Sequence, residues 1–340
     1  MKHHYRVQVA AVLLCLSPLV SAQGATSLGS GEGALPSRGS TFSLIYENDI
    51  FSSSDGHYTN GVRLSWIPGS SETPVWAENI ARRIPFFPQE GQVLHGYSFG
   101  QNMYTPSDIE LEDPPLDERP YAGWLYATIG LAVETGRQLD QVMLTVGMVG
   151  PASLAEKTQK LVHKMVGSDE PQGWDTQLRN ELGVMVGWQR NWRAWVATNM
   201  LGNQFDIAPH VGATVGNIHT YANAGITLRY GDNLPLDYGP PRIQPGVIGT
   251  SSYIPRPGLG WYLFAGVEGR AVARNIFLDG NSFRSSRSVD REKLVGDLQV
   301  GAVLVWDKVR LSYTHVFRTR EYKTQDRSDD FGSLALSYQF

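Results

Sequence analysis

The chain has 340 residues, 41% of them hydrophobic and 18% charged, with a formal net charge of −4. With that acidic balance and no long basic run, nucleic acid is not expected as a partner. One cysteine, Cys15, is present, and its position near the N-terminus limits the thiol chemistry open to the rest of the chain.

Residues 1–22 read as a secretory signal peptide. Lys2 and Arg6 form a basic start, Val7 to Val20 an apolar core, and Val20-Ser21-Ala22 a small-residue cleavage site. The apolar core is too short for a spanning helix. Leu13 and Leu14 stand before Cys15, where a lipoprotein box needs small residues. Cleavage would remove Cys15, which excludes disulfides, zinc thiolates and a cysteine nucleophile from the mature chain. Residues 23–40, rich in Gly, Ser and Ala, read as a flexible lead-in. Residues 41–340 are left for the folded domain.

No later stretch reaches the ~18 apolar residues of a spanning helix. Alternation takes over instead. In 121–134, Leu125, Ala127, Ile129, Leu131 and Val133 oppose Trp124, Tyr126, Thr128, Gly130 and Glu134. In 294–306, Leu294, Leu298, Val300, Ala302, Leu304 and Trp306 oppose Asp297, Gln299 and Gly301. In 308–318, Val309, Leu311, Tyr313 and Phe317 oppose Arg310, Ser312, Thr314 and Arg318, and the chain ends on Leu334, Leu336, Tyr338 and Phe340 of one face. Apolar-out, polar-in strands of about ten residues with aromatic ends indicate a transmembrane β-barrel. A soluble β-sandwich alternates too, but with shorter strands.

The expected fold is therefore all-β, an antiparallel barrel of about twelve strands in a bacterial outer membrane. The strands fall over 41–49, 58–67, 94–104, 121–134, 139–149, 177–189, 192–201 running on towards 215, 218–230, 260–274, 293–306, 308–319 and 331–340. Splitting 192–216 in two would break the even count, so it is read as one strand. Both chain ends are then periplasmic, and the loops 50–57, 105–120 and 150–176 face outward. The periplasmic loop 68–93 carries a short amphipathic helix in "PVWAENIARRIPFF". "RYGDNLPLDYGPPRI" (229–243) reads as an outer loop, a lid or substrate groove. Arg284, Arg287, Arg291, Arg320 and Lys323 in later outer loops are either phosphate contacts or solvated tip charges.

Two features carry chemistry. "YENDIFSSSDGHYTNG" (46–61) joins two strand ends through a polar loop, which is either an ordinary hairpin tip or half of a metal site. In 150–176, Ser153 and Glu156 form a capping box after Pro151; Leu154, Leu161, Val162, Met165 and Val166 make a helical apolar stripe; Gly167 ends it. That stripe should pack on the barrel and turn His163 towards Asn48 and Asp49. On the residues alone, a solvated histidine at a helix C-terminus is the plainer reading.

The pieces "ENDIF" (47–51), "DGHYTNG" (55–61), "GQNMYTP" (100–106), "DERPYAGW" (117–124), "SLAEKTQKLVHKMVG" (153–167) and "PQGW" (171–174) resemble, in order and spacing, the outer-membrane lipid A 3′-O-deacylases of the LpxR family. The resemblance runs from about Phe42 onward. It implies a calcium-dependent enzyme that hydrolyses the 3′-linked acyloxyacyl ester of lipopolysaccharide. It also implies His163 and Asn48 as catalytic residues. Asp49, Thr59 and Gly61 fall at the metal, with Asp169 or Glu170 as a further acidic ligand. Arg119 and Tyr121 fall on the substrate side. The chemistry suits these residue types: calcium takes oxygen ligands, and a neutral imidazole can activate water. The expected partners are lipid A, the outer membrane, and the barrel-assembly machinery through the strand ending at Phe340.

The alternatives are a porin-like barrel and an outer-membrane phospholipase. The phospholipase class places a serine two residues after its histidine, and none of the eight histidines here has one; His219 is followed by Thr220 and Tyr221.

Overall fold

The computed structural model describes residues 36–49, 57–243 and 248–340, with only the backbone of 57–59, 166, 248 and 249. The expected leader 1–22, most of the lead-in and the hairpin tip around Asp55 lie outside these residues. The strands are β1 (Thr41–Asn48), β2 (His57–Ile67), β3 (Gln92–Thr105), β4 (Ala122–Glu134), β5 (Gln138–Val149), β6 (Glu181–Trp192), β7 (Val196–Met200), β8 (Asn203–Gly216), β9 (His219–Asp232), β10 (Leu259–Asn275), β11 (Leu294–Trp306), β12 (Val309–Arg318) and β13 (Asp329–Gln339). Neighbours pair antiparallel, β1 closes on β13, and β6 pairs with β8. This is a closed twelve-stranded barrel with β7 as an extra short strand.

The expected single strand over 192–216 is divided. β6 pairs with the C-terminal half of β8, from Met185↔Gly216 to Asn191↔His210, and β7 with the N-terminal half, from Val196↔Ile207 to Met200↔Asn203. β7 thus continues β6 along the same partner, past a break where Ala194 takes a φ of 50°. The periplasmic turn falls at Leu201 and Gly202, both at positive φ, and not in the gap between the expected strands 177–189 and 192–201. The even count survives because β7 adds length to a staggered edge rather than a new place in the ring.

The strands alternate as an outer-membrane barrel does. Leu298, Leu304, Trp306, Leu311, Phe317 and Leu336 are exposed, while Asp297, Arg310, Ser312, Thr314, Arg318 and Ser333 are buried. In water each such exposed side chain would forgo about 1.5–3 kcal/mol of burial; against hydrocarbon the arrangement is favourable.

Segment 233–243 follows β9 at the rim that also carries both chain ends, so it is periplasmic and not an outer loop as its Pro/Gly content suggests. It folds into the lumen as a plug because its charges find partners there. Asp237 pairs with Arg229 of β9 and, at 3.4 Å, with Arg310 of β12, and accepts from the Tyr262 hydroxyl at 3.0 Å. Arg242 reaches Asp297 at 3.4 Å, and the Ile243 N–H donates to Glu47 Oε1 at 2.8 Å.

The helices are α1 (Val75–Ala81), α2 (Ala155–Val166) and two single turns, α3 (Ile248–Ser251) and α4 (Ile276–Asp279). At the outer rim, α4 buries Ile276, Phe277 and Leu278, and Phe277 stacks on Tyr104 of β3 at 4.1 Å. Plug and α4 leave between them a cavity of about 100 Å³, lined by Arg63, Tyr126, His219, Asn223, Arg270 and Glu321 among others.

Candidate functional site

Strand register sets out the outer rim. Asn48 pairs with Asn60, Asn60 with Met103, and Met103 with Gly123. Alternation puts all four on the outside wall, in the row of exposed Leu44 and Leu64 and away from lumen-facing Glu47 and Arg63. Strand spacing of about 4.8 Å makes this row about 15 Å long.

Helix α2 lies across one end of that row. Gly123 has no side chain where Ser153 and Ala155 approach; a Cβ there would meet Ser153 Oγ at 2.0 Å and Ala155 Cβ at 2.3 Å. The Gln101 amide donates to the Ser153 carbonyl at 2.6 Å. Ala155 packs with Met103, Tyr121 and Trp174 in a small cluster, and the Trp174 indole donates to Gln159 Oε1 at 2.7 Å. Among the described residues, Gln159 Nε2 is buried without a partner.

The helix docks by a different face from the expected one. Leu161 is 53% and Met165 72% exposed, and Leu154 is exposed as well. Ala155, Gln159 and His163, spaced i, i+4, i+8, form the face towards the wall; the first two are buried and His163 is half-buried. The small Ala155 and the Gln159–Trp174 bond allow a close approach that Leu161 and Met165 would prevent. The expected capping box is displaced too. Leu154, at φ 60°, precedes the helix with no side-chain cap, and Ser153 Oγ meets the Ala155 N–H at 3.4 Å. Gly167 ends the helix as expected, with φ 73°.

His163 Nδ1 bonds the Asp169 carbonyl at 2.5 Å. A carbonyl only accepts, so Nδ1 carries the hydrogen, and in the neutral tautomer the lone pair is on Nε2. Asp169 and Glu170 are both exposed, and Lys160 lies 3.8 Å from Glu170. At the other end of the row, Asn48 and Asp49 are buried. Asn60 donates to the Tyr46 hydroxyl at 3.2 Å, and its buried Oδ1 has no partner among the described residues. Gly61 pairs with Glu47 and Asn102 through the backbone of β2, to which Thr59 also belongs. Among the described residues, no three His, Cys, Asp or Glu side chains gather as a metal cluster. The side-chain groups of Asn48, Asp49 and Asn60 that can ligate a metal are oxygens, which suits calcium and not a soft metal.

Arg119 and Tyr121 point to opposite sides of the wall. Arg119 is fully buried over the Tyr104 ring at 5.2 Å and 3.4 Å from Glu321, at the mouth of the lumen. Tyr121 packs on Trp174 outside the barrel at 5.0 Å and donates to the Ile109 carbonyl at 3.2 Å. Burial pushes its phenol up to about 12, so it stays a neutral donor. The structure therefore places Asn48 and α2 on one outside wall, with Asp49 next to Asn48 in sequence and Gly61 opposite lumen-facing Glu47, holds Tyr121 beneath α2, and sets Arg119 apart. Gly123, Asn60, Gln159 and Trp174 are additions. The i, i+4 spacing of Ala155, Gln159 and His163 is the signal for Gln159; Asn60, Gly123 and Trp174 lie inside the quoted pieces DGHYTNG, DERPYAGW and PQGW, but nothing in those pieces gives them a role.

The fold defines an outer-membrane β-barrel protein, with a helix laid on its outside wall. The family model described as outer membrane protein LpxR matches residues 8–340, and the chain belongs to that family. Among solved structures it is similar to LpxR from Salmonella typhimurium, with a TM-score of 0.71 and 20% identity over 88% of this chain and 100% of that one. It also matches the β domain of the Bordetella autotransporter BrkA, at TM-score 0.42 and 10% identity over 89% of this chain and 98% of that one. The comparison with curated proteins yields no match.

Proposed function

We propose that the protein is a calcium-dependent lipid A deacylase that hydrolyses the 3′-linked acyloxyacyl ester in the outer leaflet, with His163 as the base that activates water. The observation that carries this reading is the bond from His163 Nδ1 to the Asp169 carbonyl, which in the neutral ring leaves the lone pair on Nε2 to accept a proton. Nε2 takes a proton from water as the oxygen adds to the ester carbonyl. The tetrahedral intermediate then expels the sugar oxygen, which receives that proton, giving a free fatty acid and a hydroxyl. Asn48, buried at the strand end, is assigned to steady the developing oxyanion.

Asp49, with Asn48, Asn60 and oxygens of Thr59 and Gly61, would hold the calcium ion, and Asp169 or Glu170 would complete the set. Bound calcium would supply positive charge to polarise the ester carbonyl. Asn60 Oδ1, buried and without a partner among the described residues, fits such a role. The exposed Leu161 and Met165 suit a site worked from within a layer of acyl chains. Arg119 and Tyr121 support the substrate side through the loops they hold. The strand ending at exposed Phe340 fits recognition by the barrel-assembly machinery.

The test is mass spectrometry of lipid A after incubation with the purified protein, with and without calcium. The reading expects loss of the 3′ acyloxyacyl group only with calcium and only with His163 intact. Cleavage of glycerophospholipid alone, or cleavage unaffected by chelation, would overturn it.

A further inference from the structure

The periplasmic loop between β2 and β3 does not hang free below the barrel. It folds back onto the outside wall. Ala77 and Ala81 of α1 are buried, and Ala81 and Phe87 pack with Val93 of β3 and Val133 of β4, against Val142 of β5 and Trp188 of β6. These strand residues lie on the exterior by alternation, in the rows of exposed Phe99, Leu144, Val184 and Val186. The surface that α1 occupies is thus continuous with the lipid-facing band of an outer-membrane barrel.

The helix is polarised along the membrane normal. Arg82 turns towards the start of β3, donating to the carbonyls of Gln89 and Gly91 at 2.7 and 2.8 Å. Trp76 turns the other way, up the wall, with its ring 6.1 Å from His95. The polar flank therefore faces the periplasm and the apolar flank faces the membrane midplane. Val75, Trp76, Ile80 and Phe86 remain exposed, Val75 to 75%. Phe86 is fixed against Trp188 at 5.8 Å, and its carbonyl accepts from Arg190 at 3.0 Å.

Other strands carry exterior rings near this rim: Phe42 on β1, Trp66 on β2, Tyr97 on β3, Trp192 on β6, Tyr230 on β9, Trp306 on β11 and Tyr338 on β13. β4 and β5 have Val133 and Val142 there instead. Those are the strands that α1 and the 84–87 segment cover. Aromatic rings in such a belt sit at the boundary between headgroups and acyl chains.

We infer that α1 and the 84–87 segment form an interfacial anchor, docked on the outside wall and inserted by Trp76, Ile80 and Phe86 among the phospholipids of the periplasmic leaflet, where they complete the aromatic belt across β4 and β5. An amphipathic helix with this polarity lies in the membrane interface. The inference is independent of the reaction at the outer rim.

The experiment places an environment-sensitive fluorophore on Ile80→Cys and on Phe86→Cys, in a Cys15→Ser background. The labelled proteins are reconstituted in phosphatidylethanolamine–phosphatidylglycerol vesicles, and folding is checked by heat-modifiable migration. Phe99→Cys supplies the lipid-facing reference and Gln89→Cys the aqueous one. Both side chains replaced are exposed, so the core is untouched. Labels at 80 and 86 should emit near the residue 99 wavelength, be quenched by brominated lipid and be shielded from iodide. Emission and iodide quenching like residue 89, at either position, would overturn the inference.

Discussion

Gly123 of β4 and Ala155 of α2 touch so closely that a methyl group on the glycine would stand 2.3 Å from the Ala155 Cβ. Because Gly123 is the last member of the row that begins at Asn48, this contact sets where the helix lies on the wall. Gly123→Ala should leave a folded barrel but lift the start of α2. A displacement of about 1 Å can cost ~10²-fold in rate, so lipid A deacylation should fall by about that factor, with heat-modifiable migration unchanged. Activity equal to that of the parent protein would show that the contact does not position the site.

His163 and Asp49 should separate in their effects. His163→Ala should lower the rate by about 10²–10⁴-fold and leave calcium binding, read by titration calorimetry, nearly intact. His163→Gln should be almost as poor, since it cannot take the proton. Asp49→Ala should lose both activity and calcium binding, and Asp49→Asn should raise the calcium needed. Trapping of an acyl group on a serine or threonine would replace the water mechanism.

The plug should keep the barrel from conducting. In planar bilayers the protein should show no steady ion current, in contrast to a porin. Asp237 is fully buried and shared by Arg229, Arg310 and Tyr262. Removing one member of such a network costs about 3–5 kcal/mol. Asp237→Ala should therefore loosen the plug, seen as intermittent channel openings and a lower unfolding temperature.

Acid should loosen the outer rim through Glu321. Burial opposes ionisation of this carboxyl, but Arg318 and Arg119 outweigh it and hold its pKa below the ordinary 4.5. A depressed pKa contributes stability that is fully present above the unfolded value and is lost as pH falls through the folded one. Stability should thus hold above about pH 4.5 and decline below it, measured as the unfolding temperature in detergent. Glu321→Gln should flatten that decline while lowering stability at neutral pH.

Much of this molecule follows from local pattern. Alternation over 294–306 and 308–318 settles both the barrel and which side chains meet lipid, because a strand has only two faces and the membrane leaves one solution for each. Leu298 and Phe317 therefore face outward, and Asp297 and Arg318 pair within at 2.9 Å, as the alternation requires. Helix α2, its end at Gly167 and the placing of Asn48 at a strand end are equally local. What the chain does with its long connections is not. The stripe of Leu161 and Met165 looked like a docking face, yet Ala155 and Gln159 dock, because the wall offers the bare backbone of Gly123 and the indole of Trp174 there. Segment 233–243 reads as a loop in the open, yet Asp237 and Arg242 draw it into the lumen, where Arg310 and Asp297 wait on distant strands. A helix has many possible faces and a loop many possible paths. The choice among them depends on groups as far as 196 residues apart in sequence, as for Ile243 and Glu47, and only closure of the barrel brings those groups together.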